Sequence, residues 1–254
     1  NIVYLKSSGF KDKFLETLQA VVTSRQTNIS AVSAVTAVSR EKQDETTQKL
    51  VNIVRKSQPA VVGQKIVALA CSTGGPKALQ SVVPRLPAEL AAPVLIVQHM
   101  PKGFTQSLAE RLDSMSRIRV KEAAEGDVLE NGVVYISMGG KHMNVATKGG
   151  RATITYTDEP PREGVKPCAN YMYESLKTSS FAQIVCVVLT GMGADGTRGI
   201  VNLETSKKIH VIAQDEASST VYGMPKAIAA TGLVNQVVSL DNVAQEIIMN
   251  VGVR

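Results

Sequence analysis

Three reactive side chains stand just after apolar runs at separate points of the sequence. Ser72 lies in the turn CSTGGP, His99 in the segment QHMP, and Asp195 in the glycine-rich loop GMGADG. A serine hydroxyl becomes a nucleophile when a nearby imidazole takes its proton, and a carboxylate can hold that imidazole in the required tautomer. These residue types therefore indicate a nucleophilic serine with a histidine base and an orienting aspartate.

The turn around Ser72 has a composition that suits a nucleophile. Gly74 and Gly75 permit a sharp bend, and Pro76 fits the first turn of a helix. The N-terminus of such a helix presents unpaired N–H groups that can stabilise an oxyanion. Plainer interpretations stay open, because Ser72 could cap the helix and Asp195 could be a turn residue.

Phosphate binding is the main chemical alternative for these glycine-rich segments. CSTGGPKA lacks the GxxxxGK[ST] spacing of a phosphate-binding loop, whereas GMGADG matches the letters of the GxGxxG dinucleotide fingerprint after a predicted strand. The fingerprint also needs an acidic residue on the next strand, but Ile209–Ala213 carries none and Asp215 lies just beyond it. We therefore favour the nucleophile over a nucleotide site.

The other histidines are predicted to be structural. The sequence holds 3 histidines in all. His142 begins a predicted hairpin strand, and His210 lies inside an apolar strand. His99 is therefore the candidate base.

The order of apolar runs and helical patterns predicts the fold class. Continuous apolar runs that alternate with amphipathic helices are typical of a parallel sheet with helices on both faces. Residues 142–156 alternate around a Gly pair, which predicts an antiparallel hairpin. The prediction is a doubly wound α/β fold with a mostly parallel sheet. The predicted strands are Ile66–Ala70, Val94–Val97, Val133–Ile136, Ile184–Leu189, His210–Ala213 and Gln236–Val238; the predicted helices are Pro76–Val83, Phe104–Asp113, Ala169–Leu176, Thr197–Glu204, Pro225–Ala230 and Asn242–Asn250, the last capped by Asp241.

Composition divides the chain into three parts. Residues 1–24 combine a short apolar run with one amphipathic helix pattern, which is too little to bury a core alone. Residues 25–60 are rich in Ser, Thr, Gln and charged residues and are predicted to be a linker. Regular alternation begins at residue 61, so residues 61–254 are predicted to form the main domain.

Charge, aromatic content and cysteine content argue against several classes of function. The net charge is +6, but the basic residues are spread along the chain, aromatic residues make up only 4%, and Trp is absent. We therefore expect no nucleic-acid binding and a basic surface that is solvated or meets an acidic protein. No apolar run is long enough for membrane insertion, and 3 Cys without a CxxC pair favour a reducing cytoplasm over a zinc or disulfide framework.

Several motifs, in the same order, resemble those of one enzyme family. ACSTGGPKAL, VLIVQHMPKGFTQSLAERL, EGDVLENGVVYIS, GGKHMNV, VVLTGMGADGTRGI and IAQDEASSTVYGMPKAI are similar to successive motifs of the chemotaxis protein-glutamate methylesterases, the CheB family. The resemblance covers about Ile66 to Asn250. It departs from the family at Lys166-Pro167-Cys168, where His or Arg followed by Pro-Ser is common, and at Asn170, where Asp is frequent.

The resemblance implies the roles of individual residues. Ser72 matches the family nucleophile, His99 the base, and Asp195 the orienting acid. Thr73 and the backbone N–H of Met192 resemble supporting groups near the histidine and the oxyanion. The resemblance implies neither a metal nor a cofactor.

The resemblance also implies a domain arrangement. Residues 1–24 resemble the C-terminal end of a response-regulator receiver domain, and residues 25–60 resemble the linker that follows it. Residues 61–254 then correspond to the methylesterase catalytic domain.

The implied function is a serine hydrolase of chemotaxis adaptation. Such an enzyme demethylates glutamate γ-methyl esters on bacterial chemoreceptors and can deamidate receptor glutamines. Its implied partners are the methylated cytoplasmic helices of the chemoreceptors and the receiver domain of its own full-length chain, which a chemotaxis histidine kinase phosphorylates. The implied location is the cytoplasm. The alternative is a binding or scaffold module that keeps the fold but not the activity.

Overall fold

Strands and helices alternate along the part of the chain that the structure describes, except for four consecutive strands between residues 119 and 157. The structure is a computed structural model and describes residues 64–254, so the predictions for residues 1–24 and 25–60 lie outside the described residues. The strands are β1 Lys65–Cys71, β2 Val94–Gln98, β3 Arg119–Glu122, β4 Val133–Ile136, β5 His142–Lys148, β6 Arg151–Thr157, β7 Gln183–Val188, β8 Lys208–Gln214 and β9 Gln236–Val238. The α-helices are α1 Gly75–Val82, α2 Phe104–Met115, α3 Ala169–Ser175, α4 Thr197–Glu204, α5 Met224–Ala229 and α6 Leu240–Val251. Within residues 64–254, no helix has the length and apolar character needed to cross a bilayer.

Seven of these strands form one parallel sheet. Their order is β3-β4-β2-β1-β7-β8-β9, and every neighbouring pair is parallel. β5 and β6 form a separate antiparallel pair joined at Gly149 and Gly150, whose φ angles are 57° and 78°. Positive φ at both positions is what a two-residue hairpin turn requires. The predicted fold class is therefore confirmed.

The central strand β1 separates two hydrophobic cores. Val67 and Leu69 pack with α1, α2 and α6 on one face, whereas Ile66 and Ala68 pack with α3, α4, α5 and the hairpin on the other. Side chains of a strand alternate between faces, so burial on both faces requires an uninterrupted apolar run. All seven residues of β1 are buried, which is why this segment has no polar alternation.

Two local predictions differ from the structure. The edge strand β3 was not expected from the sequence, because it pairs with β4 alone and only Val120 of its residues is fully buried. The predicted cap Asp241 is wrong, since α6 begins at Leu240 and Ser239 is the extended N-cap residue with φ −64° and ψ 153°. Asp241 lies in the first helical turn instead, where its negative charge complements the helix dipole.

All three cysteines of the chain lie in the interior. Cys71, Cys168 and Cys186 are free and fully buried. Burial raises the pKa of each thiol above its ordinary value, for Cys168 to about 12. The thiols are therefore protonated at neutral pH.

Candidate active site

The carboxyl end of β1 turns sharply at Ser72 before α1 begins. Gly74 has φ 82° and α1 starts at Gly75, with a proline in its first turn. A side chain at Gly75 would overlap with Oε1 of Gln98, so the turn can lie this close to β2 only with glycine at that position. The backbone N–H of Ser72 donates to the carbonyl of Thr190 at 3.0 Å, and this bond ties the turn to the end of β7. Ser72 Oγ makes no hydrogen bond within the described residues.

Gln98 connects the loops that carry Ser72 and His99. Its side chain is only 2% exposed, and Nε2 donates to the carbonyl oxygens of Ser72 at 3.0 Å and His99 at 3.1 Å. Its Oε1 accepts from Cys71 Sγ at 3.1 Å. Sequence reasoning missed this residue, although a polar side chain at the end of an apolar strand was a signal for it.

His99 and Asp195 are joined by a short hydrogen bond. His99 Nε2 lies 2.7 Å from Asp195 Oδ2, and the two side chains are 10% and 3% exposed. An ionised carboxylate can only accept, so in the neutral ring Nε2 carries the proton and Nδ1 is the unprotonated nitrogen. This is the reverse of the chymotrypsin arrangement, in which the aspartate contacts Nδ1.

The strand register places Ser72 next to His99. Cys71 is paired with Gln98 across β1 and β2, and Ser72 and His99 are the next residues on the two strands. The backbone N–H of His99 also donates to the carbonyl of Cys71 at 3.2 Å. Neighbouring strands lie about 4.8 Å apart, so the two residues are neighbours at the same sheet edge.

Asp195 is a buried carboxylate with several donors. Besides His99, its oxygens accept from Ala169 N at 2.6 Å, Asn170 N at 3.0 Å and Cys168 Sγ at 3.0 Å. Burial alone would raise the pKa of Asp195, but the hydrogen bonds from His99, Cys168 and Ala169 outweigh it and hold this pKa below the ordinary value. The side chain is therefore ionised at neutral pH. The sequence did not identify these donors as part of the site.

The loop after β7 approaches Ser72 closely. A Cβ added at Gly191 would lie 2.8 Å from Ser72 Cβ and would overlap with Met224 Sδ. The carbonyl of Gly191 accepts from the N–H groups of Gly223 and Met224 at 3.1 and 2.8 Å. Glycine at this position lets the loop that carries Asp195 pass beside the serine.

The two predicted supporting groups lie beside this turn. The Thr73 side chain is exposed, and its carbonyl accepts from Thr190 Oγ1 at 2.9 Å. Met192 is 70% exposed, and its backbone N–H has no hydrogen-bond partner within the described residues. A free N–H can donate to an oxyanion, and the role of Met192 stays a prediction. Nothing in the contacts of the Thr73 side chain tests its predicted role.

The remaining histidines lie apart from the serine turn. His142 is fully buried, and its ring bonds the carbonyl of Pro160 and the backbone N–H of Cys168. His210 Nε2 lies 2.9 Å from Gln236 Oε1 between β8 and β9. Among residues 64–254, no group of three or more His, Cys, Asp or Glu side chains is arranged to hold a metal ion.

The fold and these side chains define a doubly wound α/β domain with serine, histidine and aspartate at the carboxyl edge of its sheet. The family model described as CheB methylesterase matches residues 67–247. The chain therefore belongs to the CheB methylesterase family.

Individual relatives agree with this family. The chain is 46% identical over 189 residues to a protein-glutamate methylesterase/protein-glutamine glutaminase of Geobacillus kaustophilus, covering 74% of this chain and 54% of that protein. It is 44% identical over 187 residues to the protein of the same name from Bacillus subtilis, covering 73% and 52%. The crystal structure of the Thermotoga maritima CheB methylesterase catalytic domain matches with a TM-score of 0.71 and 36% identity, covering 75% of this chain and 100% of that one. The chain thus spans about half the length of the curated relatives it matches.

Proposed function

We propose that this chain is a serine esterase that hydrolyses glutamate γ-methyl esters on bacterial chemoreceptors and can also deamidate receptor glutamines. The observation that carries the proposal is the 2.7 Å hydrogen bond between His99 Nε2 and Asp195 Oδ2, at the sheet edge where Ser72 lies. Membership of the CheB methylesterase family and the names of the relatives support the choice of substrate.

The first half of the reaction forms an acyl-enzyme. Ser72 Oγ attacks the carbonyl carbon of the ester while His99 Nδ1 takes the hydroxyl proton. Asp195 stabilises the resulting imidazolium, and the backbone N–H of Met192 is a donor to the oxyanion. The bond from carbon to the methoxy oxygen then breaks, and methanol leaves with the proton from His99.

The second half releases the glutamate. Water attacks the acyl carbon and gives a proton to His99 Nδ1, and the bond to Ser72 Oγ breaks as the serine regains that proton. The receptor glutamate leaves as a carboxylate with release of one proton. With a glutamine substrate, ammonia takes the place of methanol.

Methanol release from methylated receptor membranes tests this function. We expect Ser72→Ala to lower the rate by more than about 10³-fold, because removal of a nucleophile leaves only binding and oxyanion stabilisation. Ser81→Ala, on the same helix α1 and away from the turn, is the matched control and should keep the rate. A fluorophosphonate probe should label Ser72. An undiminished rate in Ser72→Ala, or labelling of another residue, would exclude the mechanism.

Regulation by a receiver domain in the same full-length chain is part of the proposal. The receiver covers the strand-end loops, and its phosphorylation by a chemotaxis histidine kinase weakens that contact. Two exposed apolar side chains support a covered surface at this edge, Phe104 at 60% and Met192 at 70%. The rate of methanol release by this chain should match that of the phosphorylated full-length protein. A much lower rate would contradict the idea that the receiver acts only by covering the site. Because the proposed substrate is the cytoplasmic part of the receptors, we propose the cytoplasm as the location of the reaction.

A catalytically silent scaffold is not favoured. A scaffold role does not need an ionised, buried Asp195 bonded to His99, and that pair is intact here. The relatives also carry the name of an enzyme rather than of a binding module.

A further inference from the structure

We propose that Cys168 is a positioning residue of the esterase, fixed in place by His142, that aims the carboxylate of Asp195 at His99. This inference rests on the proposed function, because it assigns a role in orienting its candidate base. It concerns a thiol whose donor hydrogen bond goes to Asp195 and not to Ser72.

The carboxylate of Asp195 has two donors on each oxygen. Oδ2 accepts from His99 Nε2 at 2.7 Å and Ala169 N at 2.6 Å, while Oδ1 accepts from Asn170 N and Cys168 Sγ, both at 3.0 Å. Two donors on each side fix both the rotation and the position of the carboxylate plane. Apart from His99, Cys168 supplies the one side-chain donor in this set.

Cys168 can supply this donor because it stands at the start of α3. Its φ of −121° and ψ of 128° are extended, and it is the N-cap residue of the helix. The first N–H groups of a helix have no partner within it, and Asp195 accepts from those of Ala169 and Asn170. The carboxylate and the start of the helix therefore stabilise one another. The thiol of Cys168 adds a further donor to the same carboxylate.

His142 holds Cys168 from the other side. The backbone N–H of Cys168 donates to His142 Nδ1 at 3.2 Å, so this nitrogen carries no proton. The opposite nitrogen, Nε2, donates to the carbonyl of Pro160 at 3.2 Å. The ring is fully buried and packs against Tyr171 in a tilted arrangement, with centroids 4.4 Å apart and an interplanar angle of 43°. A chain of hydrogen bonds thus runs from Pro160 through His142 and Cys168 to Asp195, which in turn bonds His99.

The thiol of Cys168 is protonated, and so can donate, at neutral pH. Burial first, and then the charge of Asp195, raise the pKa of Cys168 to about 12. The side chain is 0% exposed, so it is not available as a nucleophile or a metal ligand. The thiol donates to Asp195 Oδ1, while its sulfur is also near the backbone N–H groups of Asn170 and Tyr171, whose effect on its pKa is smaller than that of burial.

Loss of the sulfur should alter both the orientation and the basicity of the carboxylate. Without the thiol, Oδ1 of Asp195 keeps only the donor Asn170 N, so the carboxylate is held less firmly and becomes a stronger acceptor for the proton of His99. We expect Cys168→Ala to lower kcat about fivefold to tenfold, the factor of one ordinary hydrogen bond, with KM unchanged. A stronger acceptor at Asp195 favours the protonated ring of His99. The fall of kcat/KM on the acid side of its pH profile should therefore move to higher pH by about half a unit.

The test compares three variants in the full 254-residue chain. Cys168→Ser keeps a hydroxyl donor and should retain the rate within about twofold and the wild-type pH profile. Cys186→Ala is the matched control, because it removes a sulfur that is equally buried in β7 but makes no hydrogen bond within the described residues. Rates are divided by the fraction of molecules that a fluorophosphonate probe labels, which removes any effect of misfolding.

The outcomes separate positioning from packing. A shifted acid limb in Cys168→Ala, with wild-type limbs in Cys168→Ser and Cys186→Ala, supports the proposal. A Cys168→Ala profile that superimposes on the wild type, or an equal loss in Cys168→Ser, overturns it. Titration of the His99 ring by NMR of ¹⁵N-histidine protein gives the same comparison without any substrate. If wild-type protein releases no Ser72-dependent methanol, the proposed function fails, whereas the ring titration still decides the role of Cys168.

Discussion

The side-chain amide of Gln98 donates a hydrogen bond from Nε2 to the carbonyl oxygen of Ser72 at 3.0 Å. The same nitrogen bonds the carbonyl of His99 at 3.1 Å, so one buried side chain sets the spacing of the loops that carry the candidate nucleophile and base. The position of the nucleophile therefore depends on a residue that takes no part in proton transfer.

Gln98→Leu should destabilise the domain and slow the reaction. Leucine has a similar size but leaves the carbonyls of Ser72 and His99 without this donor, and an unpaired buried polar group costs about 1–3 kcal/mol. Urea unfolding followed by circular dichroism measures the loss. Gln106→Leu on the exposed face of α2 is the control and should change stability by less than about 0.5 kcal/mol. Equal stability of the two variants would contradict this role.

Gly191→Ala should abolish fluorophosphonate labelling without unfolding the protein. The added Cβ would overlap with Met224 Sδ, whose flexible side chain can move, and would lie 2.8 Å from Ser72 Cβ, so the serine turn must shift. The φ angle of Gly191 is not in the left-handed region, so alanine adds no backbone strain there. Gly103→Ala is the control for backbone strain, because φ is 89° there and an added Cβ meets nothing within 4 Å. That variant should lose about 1 kcal/mol of stability and keep its labelling rate. Normal labelling of Gly191→Ala would show that the close approach is unimportant.

Asp195 should make the stability of the domain depend on acid pH. Its folded-state pKa lies below the ordinary value of 3.8, so it binds a proton more weakly when folded than when unfolded. The stabilisation is therefore fully present well above pH 4 and is lost as the pH falls below 3.8 and through the folded-state pKa. We expect the unfolding free energy of Asp195→Asn to fall less steeply over this range than that of the wild type. Urea titrations at each pH from 6 to 3 give the unfolding free energy of both proteins. Parallel curves of unfolding free energy against pH would refute the contribution of Asp195.

The His99 ring should carry its proton on Nε2 in the free enzyme at neutral pH. The carboxylate of Asp195 is 2.7 Å from that nitrogen and can only accept, which leaves Nδ1 as the candidate base. Long-range ¹H–¹⁵N spectra distinguish the two tautomers, and the chain has only 3 histidines to assign. His142 serves as an internal reference, since its Nδ1 accepts from Cys168. A protonated Nδ1 and an unprotonated Nε2 at His99 would contradict the assignment of Nδ1 as the nitrogen that accepts the serine proton.

The sequence predicted the sheet and the three candidate residues for a physical reason. Strands buried on both faces must be apolar throughout, so β1, β2 and β7 stand out, and reactive residues just after them fall at one sheet edge. The edge strand β3 was missed because a strand paired on one side needs no such run.

The support around Asp195 could not be predicted from the sequence. Cys168 and Asp195 are separated by 27 residues, and their contact depends on the extended backbone at the start of α3. His142 was expected to be structural on the strength of its strand, and no pattern linked its ring to Cys168. Gln98 was visible as a polar residue at a strand end, but its two carbonyl partners follow only from three-dimensional spacing.

The burial of every cysteine gives the protein an internal reporter of its folded state. Cys71, Cys168 and Cys186 are all 0% exposed with raised pKa values, so an alkylating reagent finds no reactive thiolate on the native domain. Modification then requires the chain to open, and its rate measures how often the native domain unfolds, with no need for an added label.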